Sequence, residues 1–403
     1  MSQTPSPFLV TVSGQDAPGL AQRLFGALAA GGVEVDDVEQ VRVHGRLLLC
    51  VEAAMAPARV APLRAVLQDR FPEDGIAVAV EPLREAATTE AAEDHLHLVT
   101  LLAPEVDAAT LETVTGAVTI CGGNIERIVR LSAYPVHCYE LAVAGADIDR
   151  LRRAVAEAAV RCQVDVAVQA AGLHRRAKHL IVLDADSTLL QGEMIDLLAA
   201  RCGCGEQVAV VTAAAMAGEV DFEEALRQRV RLLKGLDDTD LQAVRDAIVL
   251  TPGARTLVRT LKRLGYELAV VSGGFTQLIG PLVEELGIDH VAANDLAVVD
   301  GVLTGEVDGP IVDRAGKASA LAAFADAAGV PLARTIAVGD GANDIDMLAA
   351  AGLGIAFNAK PVVREAADAA LSVPYLDAIL FLLGISRREV ELADRLDGEG
   401  ADA

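Results

Sequence analysis

The chain has 403 residues, 52% of them hydrophobic, and a formal net charge of −24, and its length suits two or three domains with separate cores. So much negative charge argues against nucleic-acid binding, because that function needs a basic surface. We expect a cytoplasmic protein with no membrane partner: no apolar run approaches the roughly 20 residues of a membrane span, and the N-terminus lacks a basic segment followed by an apolar one.

Two copies of a β-α-β-β-α-β pattern are predicted before residue 172. The first begins with strand Phe8–Val12 and helix Gly19–Ala30, which stops at two glycines. The second begins with strand Leu96–Leu102. The segment between them, 84–94, is rich in Ala, Thr and Glu and is typical of a linker. We therefore predict two domains, residues 1–84 and 95–171, that stack on each other or across a dimer.

The six cysteines are expected to be reduced and structural. They are scattered through apolar segments at Cys50, Cys121, Cys138, Cys162, Cys202 and Cys204. In a chain of this size, that scatter favours buried thiols over a disulfide framework. The Cys-Gly-Cys at 202–204 is too closely spaced for the usual zinc pair and has no second pair to complete a site.

From residue 172 to about 390, short apolar strands alternate with helices, a pattern typical of a parallel α/β sheet. Three strands, His179–Leu183, Glu267–Val271 and Thr335–Val338, run directly into polar residues. Ligands of open α/β sheets bind at the carboxyl ends of the strands, so we expect a site there. The acidic segment 391–403 is predicted to be a flexible tail.

If these three strands are neighbours, their ends bring four carboxylates together with Ser272. The carboxylates belong to Asp184, Asp186, Asp340 and Asp344. Like charges at such short range repel, so the group requires a cation. Hard oxygen ligands without a dedicated His or Cys favour Mg²⁺.

A phosphate is the ligand that the remaining residues favour. Ser272 and the N–H groups that follow it are predicted to open a helix, which is a natural cradle for phosphate. Lys317 opens the apolar helix Ala318–Ala328 and is the expected counter-charge.

These motifs resemble those of the haloacid dehalogenase phosphatases, in the same order over about 200 residues. The resemblance implies a Rossmann-like parallel sheet with a small helical cap, a nucleophile at Asp184 and a general acid and base at Asp186. It implies that Mg²⁺ is held by Asp184, the main-chain carbonyl of Asp186 and Asp340, with support from Asp344. Ser272 and Lys317 would hold the phosphoryl oxygens.

Residues 191–250 lie between the first two motif strands and are predicted to form the helical cap, which excludes water and contacts the leaving group. Four cap residues resemble, in identity and spacing, the substrate pocket of the phosphoserine phosphatases: Glu193, Met216, Phe222 and Arg229. The resemblance implies that Glu193 meets the serine ammonium and Arg229 grips the carboxylate. Gly273, beside Ser272, and Asn343 would complete the substrate contacts.

The two N-terminal repeats resemble ACT domains, which are ferredoxin-like α+β units that sense amino acids or dimerise. The segment Asp16-Ala17-Pro18-Gly19 matches the loop that often holds an amino acid in such domains, so Asp16 and Gly19 are candidate ligand residues. The second copy lacks the Pro-Gly pair at 107–110. The resemblance implies a homodimer formed through the ACT domains, and the whole arrangement resembles the long phosphoserine phosphatases of mycobacteria and related actinobacteria.

Three functions remain open from the sequence. The first is hydrolysis of phosphoserine, the final step of serine synthesis, through a phosphoaspartate and with regulation by an amino acid at the ACT domains. The second is phosphotransfer to another alcohol such as homoserine, or a broader phosphomonoesterase activity. The third is a non-enzymatic amino-acid sensor, against which the intact set of Asp184, Asp186, Lys317 and Asp340 argues.

Overall fold

The computed structural model describes residues 5–71, 75–83, 96–172, 175 and 177–401, apart from the side chains of Met216 and residues 398–401. The predicted linker, 84–94, lies outside the described residues. The chain divides into two units, residues 1–90 and 91–403.

The first unit is a four-stranded antiparallel sheet with strand order β2-β3-β1-β4. Its β-α-β-β-α-β order confirms the predicted ferredoxin-like fold. Residues of β3 alternate between exposed and buried, so Leu47, Leu49 and Val51 join the core. The elements are β1 (Ser6–Gln15), α1 (Leu20–Ala30), β2 (Glu34–Val43), β3 (Arg46–Met55), α2 (Pro57–Arg70) and β4 (Ile76–Pro82).

The second repeat has the same order of elements and begins the second unit. Both of its helices start at an aspartate whose carboxylate accepts a hydrogen bond from the backbone N–H three residues on, at Asp107 and at Asp147. The elements are β5 (His97–Ala103), α3 (Ala108–Ile120), β6 (Asn124–Ser132), β7 (His137–Ala144), α4 (Ile148–Cys162) and β8 (Asp165–Ala170).

The remaining strands form the predicted parallel sheet, in which β9 lies between β10 and β13, except that β12 pairs antiparallel with β11 at the edge. The strands are β9 (Leu180–Asp184), β10 (Glu267–Phe275), β11 (His290–Val299), β12 (Val302–Asp308), β13 (Thr335–Gly339), β14 (Gly354–Phe357) and β15 (Ala369–Leu371). The helices are α5 (Met194–Cys202), α6 (Gly205–Met216), α7 (Phe222–Leu232), α8 (Asp238–Ala247), α9 (Ala254–Arg263), α10 (Thr276–Leu286), α11 (Arg314–Ala327), α12 (Ile345–Ala350), α13 (Pro361–Ala366), α14 (Ile379–Leu382) and α15 (Arg387–Ala401).

The second repeat continues this sheet, an arrangement that the sequence did not predict. Strand β8 pairs with β15 through Ala167 and Ala369, giving one sheet in the order β12-β11-β10-β9-β13-β14-β15-β8-β5-β7-β6. A buried ion pair of 2.5 Å between Arg175 and Glu140 lies at this junction, where Arg175 Nε also donates to the carbonyl of Leu382 at 2.9 Å. The junction is therefore held by polar contacts as well as by strand pairing.

The prediction of a flexible tail at 391–403 is wrong for residues up to 401. Those residues belong to α15, whose Asp394 and Asp397 form ion pairs with Arg259 and Arg263 of α9. The acidic residues that suggested a frayed tail are thus paired with basic residues of α9. Within the described ranges, none of the helices is long and apolar enough to cross a membrane.

Candidate active site

The three motif strands are neighbours, so their carboxyl ends form one site. In the parallel register, Asp184 is opposite Val271 of β10, which directly precedes Ser272. On the other side, β13 ends at Gly339, directly before Asp340. All residues of β9 and β13 are buried, and all except Asp184 and Thr335 are apolar, so these strands hold the polar residues at their ends in a packed core.

Lys317 lies at the centre of the site and is only 1% exposed. Its Nζ donates to Asp184 Oδ1 at 2.6 Å and to Asp344 Oδ1 at 2.7 Å. Burial lowers the pKa of Lys317, but the charges of Asp184 and Asp344 outweigh it and raise that pKa above its usual value. The lysine predicted as a phosphate counter-charge is thus a permanent cation that also holds two carboxylates in place.

Carboxylate oxygens of Asp184, Asp340 and Asp344 all lie within 4.8 Å of one another. Burial raises the pKa of Asp184 well above its usual range, against the effect of Lys317. Burial, with the charges of Asp344 and Glu193, likewise raises the pKa of Asp340 to about 6. A divalent cation would relieve this repulsion, and a set of hard oxygen donors suits Mg²⁺.

Asp186 is held by the first turn of the cap. The chain turns sharply after Asp184, with Ser187 in the left-handed region at φ 58°, and Asp186 Oδ1 accepts a hydrogen bond from the N–H of Met194 at 2.7 Å. Burial and the charge of Glu193 raise the pKa of Asp186 to about 7. A carboxyl group with that pKa can both give and take a proton near neutral pH.

Gly274 has no side chain, and Asp186 lies close to where one would be. A Cβ at position 274 would lie 3.0 Å from Asp186 Oδ2 and 2.4 Å from the Cε of Met194. A side chain at position 274 would therefore displace Met194 and press on Asp186 and Ser272.

Ser272 lies inside β10 and does not open a helix as predicted. The strand continues to Phe275 and α10 begins at Thr276, so the N–H groups at the start of the helix follow Phe275 and not Ser272. Ser272 is fully buried, and its Oγ accepts a hydrogen bond from the N–H of Gly274 at 2.8 Å. Its hydroxyl hydrogen remains available to donate to a phosphoryl oxygen.

The cap consists of helices α5, α6, α7 and α8. The two chain segments that connect it to the core lie next to each other. The N–H of Gln191 donates to the carbonyl of Val249 at 2.8 Å, and the N–H of Thr251 donates to that of Leu189 at 2.9 Å. The expectation of reduced thiols is wrong in this cap, because Cys202 and Cys204 are joined by a disulfide.

Phe222 and Arg229, both on α7, belong to the cap and face the site. A Cβ at Gly273 would lie 3.4 Å from Phe222 Cζ, so the ring packs over the Ser272-Gly273 segment. Arg229 is half-buried, and among the described residues no carboxylate lies within 4 Å of its guanidinium. Burial lowers the pKa of Arg229, and the nearby charges of Glu193, Asp196 and Asp186 oppose that effect. Its Nε donates to the carbonyl of Ala225 at 3.3 Å, and the two terminal nitrogens are available for a ligand carboxylate.

The other predicted pocket residues lie around the same strand ends. Glu193 is exposed and accepts a hydrogen bond from Ser187 Oγ at 3.2 Å. Asn343 is half-buried in the short turn Ala342–Asp344, next to Gly341. The side chain of Met216 lies outside the described residues.

Sequence reasoning did not identify three residues that hold other residues of the site in place. Thr251 Oγ1 donates to the carbonyl of Thr188 at 2.7 Å, and Thr188 Oγ1 donates to Asp340 Oδ1 at 3.2 Å. The side chain of Asn294 is fully buried, donates to the carbonyl of Gly273 and accepts from the N–H of Val312. The Thr-Pro-Gly run at 251–253, directly after the cap, was the one available signal for Thr251.

The candidate ACT ligand loop belongs to the first unit. Asp16 Oδ2 is 2.7 Å from Arg42 Nε of β2, so its carboxylate already has a partner. Gly19 precedes α1 at φ 92°, and nothing lies within 4 Å of where its Cβ would be. The left-handed backbone explains the glycine at this position.

Models of known protein families match three segments of the chain. The family described as haloacid dehalogenase-like hydrolase matches residues 181–349. ACT domain families match residues 6–81 and 95–169. These segments coincide with the two repeats and with the sheet that carries the carboxylates.

Curated relatives cover nearly the whole chain. A phosphoserine phosphatase of Streptomyces coelicolor is 52% identical over 395 residues, 98% of this chain and 96% of that protein. A phosphoserine phosphatase of Mycobacterium tuberculosis is 49% identical over 398 residues, 96% of each chain. A solved structure of a probable phosphoserine phosphatase from Vibrio cholerae, unliganded, has a TM-score of 0.58 at 32% identity and covers 75% of this chain and 89% of that one.

Proposed function

Because the chain belongs to the phosphoserine phosphatases, which are haloacid dehalogenase-like hydrolases, and also carries two ACT domains, we propose that it hydrolyses phosphoserine through a covalent phosphate on Asp184. The observation that supports this proposal is the arrangement of Arg229 and Glu193 close to each other and to Asp186. An acid and a base in one pocket suit the ammonium and carboxylate of an amino acid, and they do not suit a sugar phosphate.

In the first step, an Asp184 oxygen attacks phosphorus, and the bond from phosphorus to the serine oxygen breaks. Asp186 gives its proton to that oxygen, so serine leaves as the neutral alcohol. Lys317 and Ser272 donate hydrogen bonds to the phosphoryl oxygens, whose charge is stabilised most when the site excludes water.

In the second step, water attacks the phosphoaspartate. Asp186, now ionised, takes a proton from that water, and the bond from phosphorus to the Asp184 oxygen breaks. Phosphate leaves and Asp186 is protonated again, ready for the next substrate.

We propose that Mg²⁺ is held by Asp184, Asp340 and the main-chain carbonyl of Asp186, with Asp344 in support. The cluster of carboxylate oxygens within 4.8 Å supports this assignment. When bound, the ion supplies positive charge that stabilises the oxygens of the transferring phosphoryl group.

Release of inorganic phosphate from phosphoserine, with and without homoserine, tests the function. Hydrolysis predicts one phosphate per serine in both conditions. A transferase would instead release serine without phosphate and phosphorylate homoserine. Absence of phosphate release from phosphoserine in the presence of Mg²⁺ would reject the proposal.

Arg229→Ala is expected to impair phosphoserine hydrolysis selectively. Loss of a charged partner costs about 2–5 kcal/mol, so kcat/KM for phosphoserine should fall at least about thirtyfold. Hydrolysis of an aryl phosphate, which has no carboxylate to bind, should stay near the wild-type rate. Arg231→Ala is the matched control, because Arg231 is exposed on the same helix and pairs with Glu224. Equal losses on both substrates would make Arg229 structural.

We also propose that the chain forms a homodimer through its first ACT domain. Strand β2 is at the edge of the sheet, and Val41 and Val43 are 46% and 58% exposed. Val41 pairs with Leu48 of β3, which is 45% exposed. Apolar residues grouped on an edge strand are typical of a surface that another chain covers.

Val41→Glu should therefore convert the dimer to a monomer, because two buried carboxylates would oppose each other across the interface. Light scattering coupled to size-exclusion chromatography would measure the mass. Val160→Glu is the control, since Val160 is an exposed valine on helix α4. A dimer of unchanged stability in Val41→Glu would place the interface elsewhere.

A further inference from the structure

The disulfide between Cys202 and Cys204 lies at the corner between two cap helices. Cys202 is the last residue of α5, and Cys204 directly precedes α6. The other described cysteines, Cys50, Cys121, Cys138 and Cys162, are free. In proteins of reducing compartments, a disulfide is usually transient, with a catalytic or sensing role.

The backbone turn at Gly203 suits the disulfide. Gly203, between the two cysteines, is left-handed at φ 70°, and a Cβ there would meet nothing within 4 Å. The N–H of Cys204 donates to the carbonyl of Ala199 at 3.0 Å and closes the end of α5. The turn therefore places the two cysteines where their sulfurs can bond, with Cα atoms 5.4 Å apart.

The two cysteines differ in solvent exposure. Cys202 is half-buried, whereas Cys204 is 8% exposed, so a dissolved reagent reaches Cys202 first. Burial raises the pKa of the Cys138 thiol, and that thiol should be unreactive.

Cys202 lies between the ends of two cap helices, α5 and α7. Cys202 Sγ is 3.8 Å from the carbonyl of Leu232 at the end of α7, and 3.5 Å from that of Ala199. A thiol can donate a hydrogen to one of these carbonyls, but a disulfide sulfur has no hydrogen to give. Helix α5 begins beside Glu193 and α7 carries Phe222 and Arg229, so both helices present substrate-pocket residues.

We propose that Cys202 and Cys204 form a reversible dithiol–disulfide site that reacts with low-molecular-weight disulfides and thiols, and that the disulfide fixes the cap for substrate binding. The second part rests on the proposed function. A cross-linked corner has fewer conformations to lose when the cap closes on the amino acid, and pre-organisation of this kind increases affinity.

The exchange is balanced in two steps. The Cys202 thiolate attacks one sulfur of an external disulfide, forms a mixed disulfide and releases one thiolate. The Cys204 thiolate then attacks Cys202 Sγ and releases the second. The two cysteines lose two electrons and two protons, and the external disulfide gains them as two thiols.

Equilibration of the full chain with mixtures of oxidised and reduced glutathione tests the site. After alkylation of free thiols, mass spectrometry of the peptide containing residues 202–204 should show an intact disulfide at oxidising ratios and two alkylated cysteines at reducing ratios. Cys162, which is also half-buried at the end of a helix but has no neighbouring cysteine, should remain alkylated throughout. Complete alkylation of Cys202 and Cys204 at every ratio would overturn the proposal.

Kinetics of the same samples test the role in substrate binding. Reduction should raise KM for phosphoserine several-fold and leave hydrolysis of an aryl phosphate unchanged. The double variant Cys202→Ser, Cys204→Ser should match the reduced enzyme under all conditions, and Cys162→Ser should behave as wild type. Equal KM values for the two forms would overturn the role in binding. If neither form hydrolyses phosphoserine, the proposed function fails, while the mass spectrometry still decides the exchange site.

Discussion

Asp186→Asn should stop turnover of phosphoserine but still release one equivalent of phenol from an aryl phosphate. The serine alkoxide is a poor leaving group, so without a proton donor the first step stalls. An aryl oxide leaves with little help, and its phosphoryl group should therefore reach Asp184. Water then lacks its base, so the phosphoaspartate accumulates. Rapid acid quench followed by mass spectrometry would detect the added phosphoryl group.

Two variants control this experiment. Asp184→Asn should abolish the covalent phosphate, because the attacking oxygen is lost. Asp196→Asn removes an exposed carboxylate in the first turn of α5 and should retain steady turnover. Asparagine at 186 can still accept the hydrogen bond from the N–H of Met194, so the turn should keep its shape. Steady turnover of the aryl phosphate at the wild-type rate by Asp186→Asn would remove Asp186 from both roles.

Asp340→Asn is expected to lower kcat by about a hundredfold or more and to weaken Mg²⁺ binding, because a metal-bound charge contributes several kcal/mol to the transition state. The substitution keeps the shape of the side chain, and Thr188 Oγ1 can still donate to Oδ1. Calorimetric titration with Mg²⁺ measures binding directly, and activity as a function of Mg²⁺ concentration measures its consequence.

Asp346→Asn is the matched control for this substitution. Asp346 lies on α12, just after the motif; its side chain is 45% exposed and pairs with Arg314. Its variant should bind Mg²⁺ as wild type does. Full activity of Asp340→Asn in the presence of EDTA would show that the carboxylate cluster needs no metal.

Much of the catalytic site could be predicted because its residues follow strands that the sequence makes plain. Apolar runs of about five residues predict buried strands, and the rule that parallel strands place ligands at their carboxyl ends brings Asp184, Ser272 and Asp340 together. The order of the strands in the sheet was the one assumption, and the pairing of β9 with β10 and β13 confirms it.

The positions of the cap residues had to come from a resemblance. Arg229 and Phe222 show no local feature that separates them from an ordinary amphipathic helix. Their role in the site depends on their closeness to Gly273 and Glu193, which lie outside α7.

Local periodicity and turn residues are enough to predict the two β-α-β-β-α-β repeats, the parallel sheet and the carboxylates at its strand ends. Tertiary structure alone decided that Lys317 bridges Asp184 and Asp344, that the second repeat continues the sheet, and that the acidic C-terminal residues form a helix against α9. Each of these depends on charges or strands brought together from distant parts of the chain, such as Lys317 and Asp184, which are 133 residues apart. The disulfide is local in sequence, but it required a turn geometry at Gly203 that composition does not reveal.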